Sequence, residues 1–243
     1  MLAAFAGGSV FTASKVTIAS SNTSTLVDWL DETHALAQAT NRVPTPVPDA
    51  AFRGFPSLRF TASNQNYDSS RAAATWNRLH DGSGGGWAAV MVVEAMSAPG
   101  RAWYVIDTGG ATAARGASGY PFVDAGPVTK TRQIIRNDAA NILSLTSPVG
   151  AWVEGTAFVI RAGYTEGASP EATLDQNGVS QATGNTTGAP SASDATRTLR
   201  LNGSMTAGDI YRLAALVIPP AAWTAAQIAA LNRWVKTLGI AGG

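Results

Sequence analysis

The sequence predicts an all-β fold: a jelly-roll sandwich of two antiparallel sheets with one short C-terminal α-helix. Three observations predict it. Short β-branched and aromatic runs recur along the chain, separated by Gly, Pro, Asn and Ser turn signals. There is no regular alternation of strand and helix patterns, which argues against a parallel α/β sheet. Only residues 223–239 combine helical periodicity with recognisable caps. A length of 243 residues suits one β domain, and a 45% hydrophobic content supplies its core.

The composition narrows the function classes. Charged residues make up 14% of the chain, where about a quarter is usual. So little charge fits an extracellular or virion β protein, or a chain whose faces are covered by partners. Net charge is +1, from 17 basic and 16 acidic residues, with no basic block. That argues against a nucleic-acid partner, which needs clustered Lys and Arg. With no Cys, disulfides and Cys-ligated zinc are excluded. The most apolar window, Ile210–Leu231, is broken by Arg212 and Pro219-Pro220, so no membrane span is expected.

Taken in order, residues 1–25 read as an N-terminal arm or an edge strand, and residues 26–243 as the main domain. Leu26–Leu36 fits both a helical face (Leu26, Trp29, Leu30) and a strand. Pro44–Pro48 reads as an extended tether. Gly54–Phe60 reads as a strand with Leu58 and Phe60 on one face. Ser69–Leu79 reads as a short helix with Ala72, Trp76 and Leu79 inward. Gly82 and the glycines at 84–86 cannot hold a helix, since each costs about 1 kcal/mol relative to Ala. From Trp87 the chain is uncharged until Glu94. A Pro99-Gly100 turn and the run Arg101–Thr108 then complete an expected antiparallel hairpin.

Tyr120–Val123, Arg132–Asn137 and Ile142–Leu145 read as short strands. In Trp152–Tyr164, the period of two places Phe158, Ile160, Ala162 and Tyr164 on one face. Asn177-Gly178 is the strongest short hairpin signal in the chain. Thr198–Leu201 and Ile210–Ile218 follow as strands, and Pro219-Pro220 ends the second of these. Thr224-x-x-Gln227 is a capping box, with Trp223 and Ile228 placed as a hydrophobic staple. Ile228, Leu231, Val235 and Leu238 define the buried helical face, and Gly239 is placed to end it.

Three blocks then carry a resemblance. The first is Asp28-Trp29-Leu30-Asp31 followed by Gly54-x-Pro56-Ser57-Leu58-x-Phe60. The second is Leu79-His80-Asp81-Gly82 followed by Val105-Ile106-Asp107-Thr108. The third is Asn177-Gly178-Val179, Leu199-x-Leu201, Gly208-x-Ile210 and the capped helix. In this order they resemble laminin-G-like domains of the concanavalin A-like lectin/glucanase superfamily, of the kind found in bacteriophage structural and bacterial surface proteins. The resemblance covers residues 26–239 and implies a jelly roll of two curved sheets. It departs at Arg212, where the family usually carries an acidic residue.

The chemistry is sparse. The resemblance implies a Glu-x-Asp-x-x-Glu run in hydrolytic members, and none occurs here. In the expected hairpin, Glu94 and Asp107 stand over ~10 Å apart, beyond the ~5–5.5 Å of a retaining carboxylate pair. His34 and His80 are the only histidines, and no Gly-x-Ser-x-Gly elbow is present. His80-Asp81 is expected to fix the glycine loop by hydrogen bonding. Gly82–Gly86 lacks the Lys-Ser/Thr of a phosphate cradle. Calcium is the one metal the resemblance implies, with Asp68, Asp81 and Asp175 as loop carboxylates; no other cofactor is expected. Trp29, Trp87, Trp103, Trp152 and Trp223 are candidates to stack on a sugar, most of them being expected in the core.

The candidate ligand-binding residues are therefore His80, Asp81, Trp87, Trp103, Asp175 and Asn177, with no catalytic set. The first expectation is a non-enzymatic virion structural protein (capsid decoration, tail or fibre), oligomeric on the particle and touching other virion or surface proteins. The second is a carbohydrate-binding or adhesion module on a bacterial or phage surface. The third is a degenerate glycan hydrolase.

Overall fold

A computed structural model describes residues 2–20, 23–38, 44–62, 65–96, 104–109, 115–124, 128–203 and 209–241. The strands form two antiparallel sheets. The first runs β14 (Val179–Gly184), β13 (Ala172–Gln176), β12 (Ala157–Tyr164), β7 (Gly85–Ala95), β16 (Ile210–Ile218) and β1 (Ser9–Ser20). On the same edge of β16, β5 (Pro56–Phe60) pairs through Leu58–Phe60 and carries β4 (Thr45–Pro48). The second sheet continues from β1 through β2 (Thr23–Asp28), β3 (Ala35–Ala37), β6 (Tyr67–Ser69), β15 (Arg200–Gly203), β8 (Tyr104–Asp107), β9 (Gly116–Asp124), β10 (Val128–Arg136) and β11 (Asn141–Thr146).

Strand β1 belongs to both sheets. Ser9–Thr12 pairs with β16. A register shift follows between Phe11 and Val16, and the strand then runs along β2. Strands turn sandwich corners through such irregularities. The segment expected to be an arm or an edge strand is thus paired on both sides at Phe11.

The expected hairpin across residues 76–108 does not form. Strand β7 pairs with β12 and β16 in the first sheet. Strand β8 pairs with β9 and β15 in the second. The expected turn at Pro99-Gly100 lies outside the described residues. The reason is visible in β7. Trp87, Ala89, Met91 and Val93 face the core between the sheets, whereas Ala88, Val90 and Val92 face a second core under the helix. A strand covered on both faces reads as a continuous apolar run and seeks the middle of a sheet.

Other elements sharpen the sequence reading. The Pro-rich tether is β4, on an edge where proline's missing N–H does no harm. The expected helix before the glycines is a 3-10 turn, Ala73–Leu79, with Trp76 and Leu79 buried and Ala72 exposed. Phe158, Ile160, Ala162 and Tyr164 all join the inter-sheet core. Asn177 and Gly178 both take positive φ, 50° and 78°, as a two-residue hairpin turn requires.

Helix α1 (Ala225–Thr237) covers the outer face of the first sheet. Its capping box is complete: Gln227 N–H donates to Thr224 Oγ1 at 3.2 Å, and Thr224 N–H donates to Gln227 Oε1 at 3.0 Å. At the other end Gly239 (φ 86°) closes a Schellman motif, with Ile240 N–H donating to Val235 O and Gly239 N–H to Lys236 O. Leu231, Val235 and Leu238 are buried as expected. Ile228 is only half-buried, and Gln227 takes the inner place by donating to Ala4 O at 3.0 Å. Thr224→Ala is expected to lower stability by about 1 kcal/mol in urea unfolding, the usual cost of losing an N-cap.

Candidate functional site: a recess at the helix N-terminus

Gly86 and Gly163 lie opposite one another on β7 and β12. Their missing side chains leave room for the Trp223 indole, whose Nε1–H donates to Ala162 O at 2.8 Å. A Cβ on Gly86 would sit 2.7 Å from Trp223 Cδ1. Phe5 holds the ring edge-on at 5.9 Å. The end of the glycine-rich stretch therefore serves a close approach between sheet and indole.

A recess of about 370 Å3 opens beside this ring, lined among others by Arg161, Thr165, Glu171, Thr173, Asp175 and Trp223. Arg161 and Asp175 face each other in register across β12 and β13, and their guanidinium and carboxylate are paired. Their side chains are 15% and 7% exposed, so the pair is largely withdrawn from water but still reaches the recess. Burial pulls the Arg161 guanidinium below its ordinary pKa. The guanidinium also lies 5.8 Å from the Trp223 ring centroid.

The rim is held by Glu171. Its carboxyl lies below the ordinary pKa because the Thr186 N–H (2.6 Å), the Thr186 hydroxyl (2.8 Å) and the Gly167 N–H (3.2 Å) all donate to it. An aromatic wall, a desolvated guanidinium–carboxylate pair and threonine hydroxyls together suit a neutral polyhydroxylated ring. Its hydroxyls can both donate and accept, and its C–H face can lie against the wall.

Of the residues singled out from sequence, Asp175 and the sugar-stacking candidate Trp223 line this recess. Asn177 is turned inward: its Oδ1 accepts Val159 N–H at 2.9 Å, tying the hairpin to β12. Asp81 accepts the Ser83 N–H and hydroxyl at 2.9 and 2.6 Å, which fixes the glycine loop. His80 is buried, with Nε2 at 3.1 Å from Ser193 O, and burial pulls its pKa down. Trp87 is buried in the inter-sheet core. Trp103 lies outside the described residues. Sequence reading missed Arg161, although the signal was present. A charge between Ile160 and Ala162 in a core strand needs a partner on its neighbour.

The calcium expectation is not supported by geometry. Asp68 is paired with Arg200 through two hydrogen bonds of 2.7 and 2.8 Å, Asp81 turns its own loop, and Asp175 holds Arg161. Among the described residues no group of three His, Cys, Asp or Glu side chains is placed to hold a metal. Glu94 and Asp107 stand in different sheets. Glu94 is gripped by Arg59 at 2.8 Å and Arg212 at 2.7 Å, and Asp107 pairs with Arg197 at 3.3 Å. Arg212, the position that departs from the family pattern, thus bridges Glu94 and Asp49.

One constellation was not foreseen. Ser69 Oγ lies 3.0 Å from His34 Nε2, and His34 Nδ1 lies 3.0 Å from Asp28 Oδ2. The connectivity is that of a serine-hydrolase triad. The residues are 8%, 1% and 0% exposed, however, and the Phe11 and Trp76 rings close on the imidazole. Ser69 Oγ also accepts Arg71 N–H at 3.1 Å. An acyl substrate has no approach to this hydroxyl, and the network acts as a strut between β2, β3 and β6. Among the described residues no helix is long and apolar enough to cross a membrane.

The fold is an all-β jelly-roll sandwich. Among solved structures, the chain is similar to the receptor-binding domain of botulinum neurotoxin C/D mosaic serotype, with a TM-score of 0.63 and 8% identity over 95% of this chain and 51% of that one. It is also similar to a botulinum neurotoxin type C structure whose description ties cell entry to interaction with two ganglioside molecules (TM-score 0.58, 9% identity, 88% and 49% covered). A Trypanosoma rangeli sialidase mutant displaying trans-sialidase activity matches with a TM-score of 0.57 and 11% identity, over 98% of this chain and 34% of that one. The chain thus spans about half the length of the toxin structures and about a third of the sialidase. At such identities the likeness establishes the fold. No protein-family model matches the chain, and no curated protein sequence matches it.

Proposed function

We propose that this chain is a non-catalytic carbohydrate-binding module that acts outside the cell or on a particle surface. The observation that carries the reading is the recess itself, in which Trp223 stands beside the in-register Arg161–Asp175 pair. The structural neighbours support it, since one is described by its dependence on gangliosides and another is a sialidase. They favour glycan binding over the virion-structural expectation, which rests on the sequence resemblance, the low charge content and the lack of a catalytic set. The hydrolase reading loses its carboxylate pair, because Glu94 and Asp107 stand in different sheets and each is paired with arginine.

A glycan array probed with the purified chain is expected to show binding to neutral oligosaccharides. The double variant Arg161→Met/Asp175→Leu removes both polar partners together and leaves no buried charge behind. It is expected to keep its melting temperature and lose at least ~10-fold in affinity, about 1.4 kcal/mol. A flat array, or an unchanged affinity in the double variant, would overturn the assignment.

A further inference from the structure

Helix α1 borders a second depression along its C-terminal half. One cavity, of about 210 Å3, is lined by Trp29, Trp234, Phe55, Leu2, Thr12 and Ser14. A second, of about 460 Å3, continues from Ser14 to Lys15 and Glu32. A third, of about 250 Å3, is lined by Ala230, Arg233, Trp234 and Thr237. Ser14 lines the first two and Trp234 the first and third, so the three adjoin at these residues as an interrupted groove.

The aromatic walls of this groove are fixed. Trp29 is 38% exposed and is the only aromatic residue among those described that counts as exposed. Its Nε1–H donates to Thr12 Oγ1 at 2.7 Å, and the Lys15 ammonium lies 4.4 Å from its ring centroid. Lys15 is held in turn by Glu32 at 2.6 Å. Trp234 meets the Phe55 ring edge-on at 5.7 Å and 82°. A large ring kept in water and locked from two sides is preorganised for contact, because little rotamer freedom remains to be lost on binding.

The surroundings point to the occupant. Apolar ring faces alternate with polar rims: hydroxyls at Thr12 and Ser14, an ion pair at one end, Arg233 and Thr237 at the other. Pyranose chains present the same alternation of C–H faces and hydroxyl edges. The Lys15–Glu32 pair is neutralised within itself, which leaves Arg233 as the one net charge among the named groove residues, too little to select a densely charged polymer. The groove exceeds one sugar ring, since Ala230 to Thr237 alone spans about 10 Å at 1.5 Å per residue. Trp223 precedes the N-cap of α1 and Trp234 lies in its last turn, so the two rings sit at opposite ends of the helix.

We propose that this groove binds the interior of a neutral linear polysaccharide, and that together with the recess at the helix N-terminus it makes attachment to a polymer bivalent. The proposal rests on the carbohydrate-binding reading above and extends it to a substrate class. Two sites flanking one helix raise the effective concentration for the second contact when one polymer reaches both, so polymer binding exceeds either site alone.

The test is affinity electrophoresis of the full chain in gels containing mixed-linkage β-glucan, xylan, pullulan or dextran, with calorimetry against the matching trisaccharides. Wild type is expected to be retarded in at least one gel. Trp29→Ala is expected to weaken that polymer's binding at least tenfold while leaving trisaccharide affinity within twofold. Ser14 is exposed and shared by two of the cavities; Ser14→Arg fills the groove without touching the core and should do the same. Arg161→Met/Asp175→Leu should lose trisaccharide binding and keep a weakened retardation. If both groove variants are retarded like wild type, the groove proposal falls and the recess stands. If only the groove variants lose binding, the recess assignment falls and the groove stands. No retardation in any of the four gels overturns the groove proposal.

Discussion

Asp28→Ala is expected to lower the unfolding free energy by about 3–5 kcal/mol, the scale for removing one member of a buried hydrogen-bonded charge network. Asp28 is fully buried. Its Oδ1 accepts Val10 N–H at 2.9 Å and Leu30 N–H at 3.0 Å, and its Oδ2 faces His34 Nδ1 at 3.0 Å. Because an ionised carboxylate only accepts, His34 Nδ1–H must be the donor there. Alanine would leave the Val10 and Leu30 N–H groups and His34 Nδ1–H without their acceptor where β1 passes from one sheet to the other, besides the Ser9 contact, and each orphan costs about 1–3 kcal/mol. Urea unfolding followed by tryptophan fluorescence measures the loss. A change below ~1 kcal/mol would show that the strut contributes little.

The same residue sets an acid limb. Burial alone would raise its pKa, but hydrogen bonds from His34, Leu30 N–H, Val10 N–H and Ser9 outweigh burial and hold it below the ordinary 3.8. The unfolded chain therefore takes up this proton first as pH falls. The stability contributed by Asp28 is complete above pH ~4 and is lost as pH falls through the depressed folded value. Relative to wild type, Asp28→Ala should show a flatter stability curve below pH ~4.

Gly119→Ala is expected to cost about 2–3 kcal/mol, the upper part of the range for overpacking a close-fitted core. Gly119 sits on β9 directly over the Trp87 indole, where a Cβ would overlap Cζ2 and lie 2.6 Å from Cε2. Trp87 is 1% exposed and cannot swing away. The contact is one point at which the two sheets meet, β7 below and β9 above. In a Trp87→Leu background the added methyl has room, so the further loss should fall below ~1 kcal/mol. The double-mutant cycle then gives a coupling of at least ~1 kcal/mol. Additive losses would mean that Gly119 matters for its backbone and not for the ring beneath it.

Legibility in the sequence followed the range of the interactions. Both ends of α1 were readable, because Thr224 meets Gln227 three residues on and Gly239 closes a motif only a few residues long. Asn177-Gly178 was readable for the same reason: two adjacent residues with positive φ decide the turn. The alternation in β12 was readable because each side chain's face follows from its own parity. The pairing of β7 was not. Its apolar run shows that both faces are covered, but it does not name the neighbours.

The candidate site divides in the same way. Asp175 was singled out as a polar residue near a turn, yet its meaning comes from Arg161 on the neighbouring strand, through a register that no local pattern encodes. Ser69, His34 and Asp28 come from three segments, and Trp29 and Trp234 reach one groove from opposite ends of the chain. The sequence by itself determined an all-β sandwich, its single capped helix, its hairpin turn and the absence of cysteine chemistry. These depend on propensities and contacts within a few residues. Only the tertiary structure decided that residues 76–108 divide between two sheets, that β1 joins those sheets, and that the helix is flanked by a recess and a groove. Those outcomes are set by strand pairing between distant residues, where burial of both faces specifies that partners exist but leaves their identity to the packing of the whole.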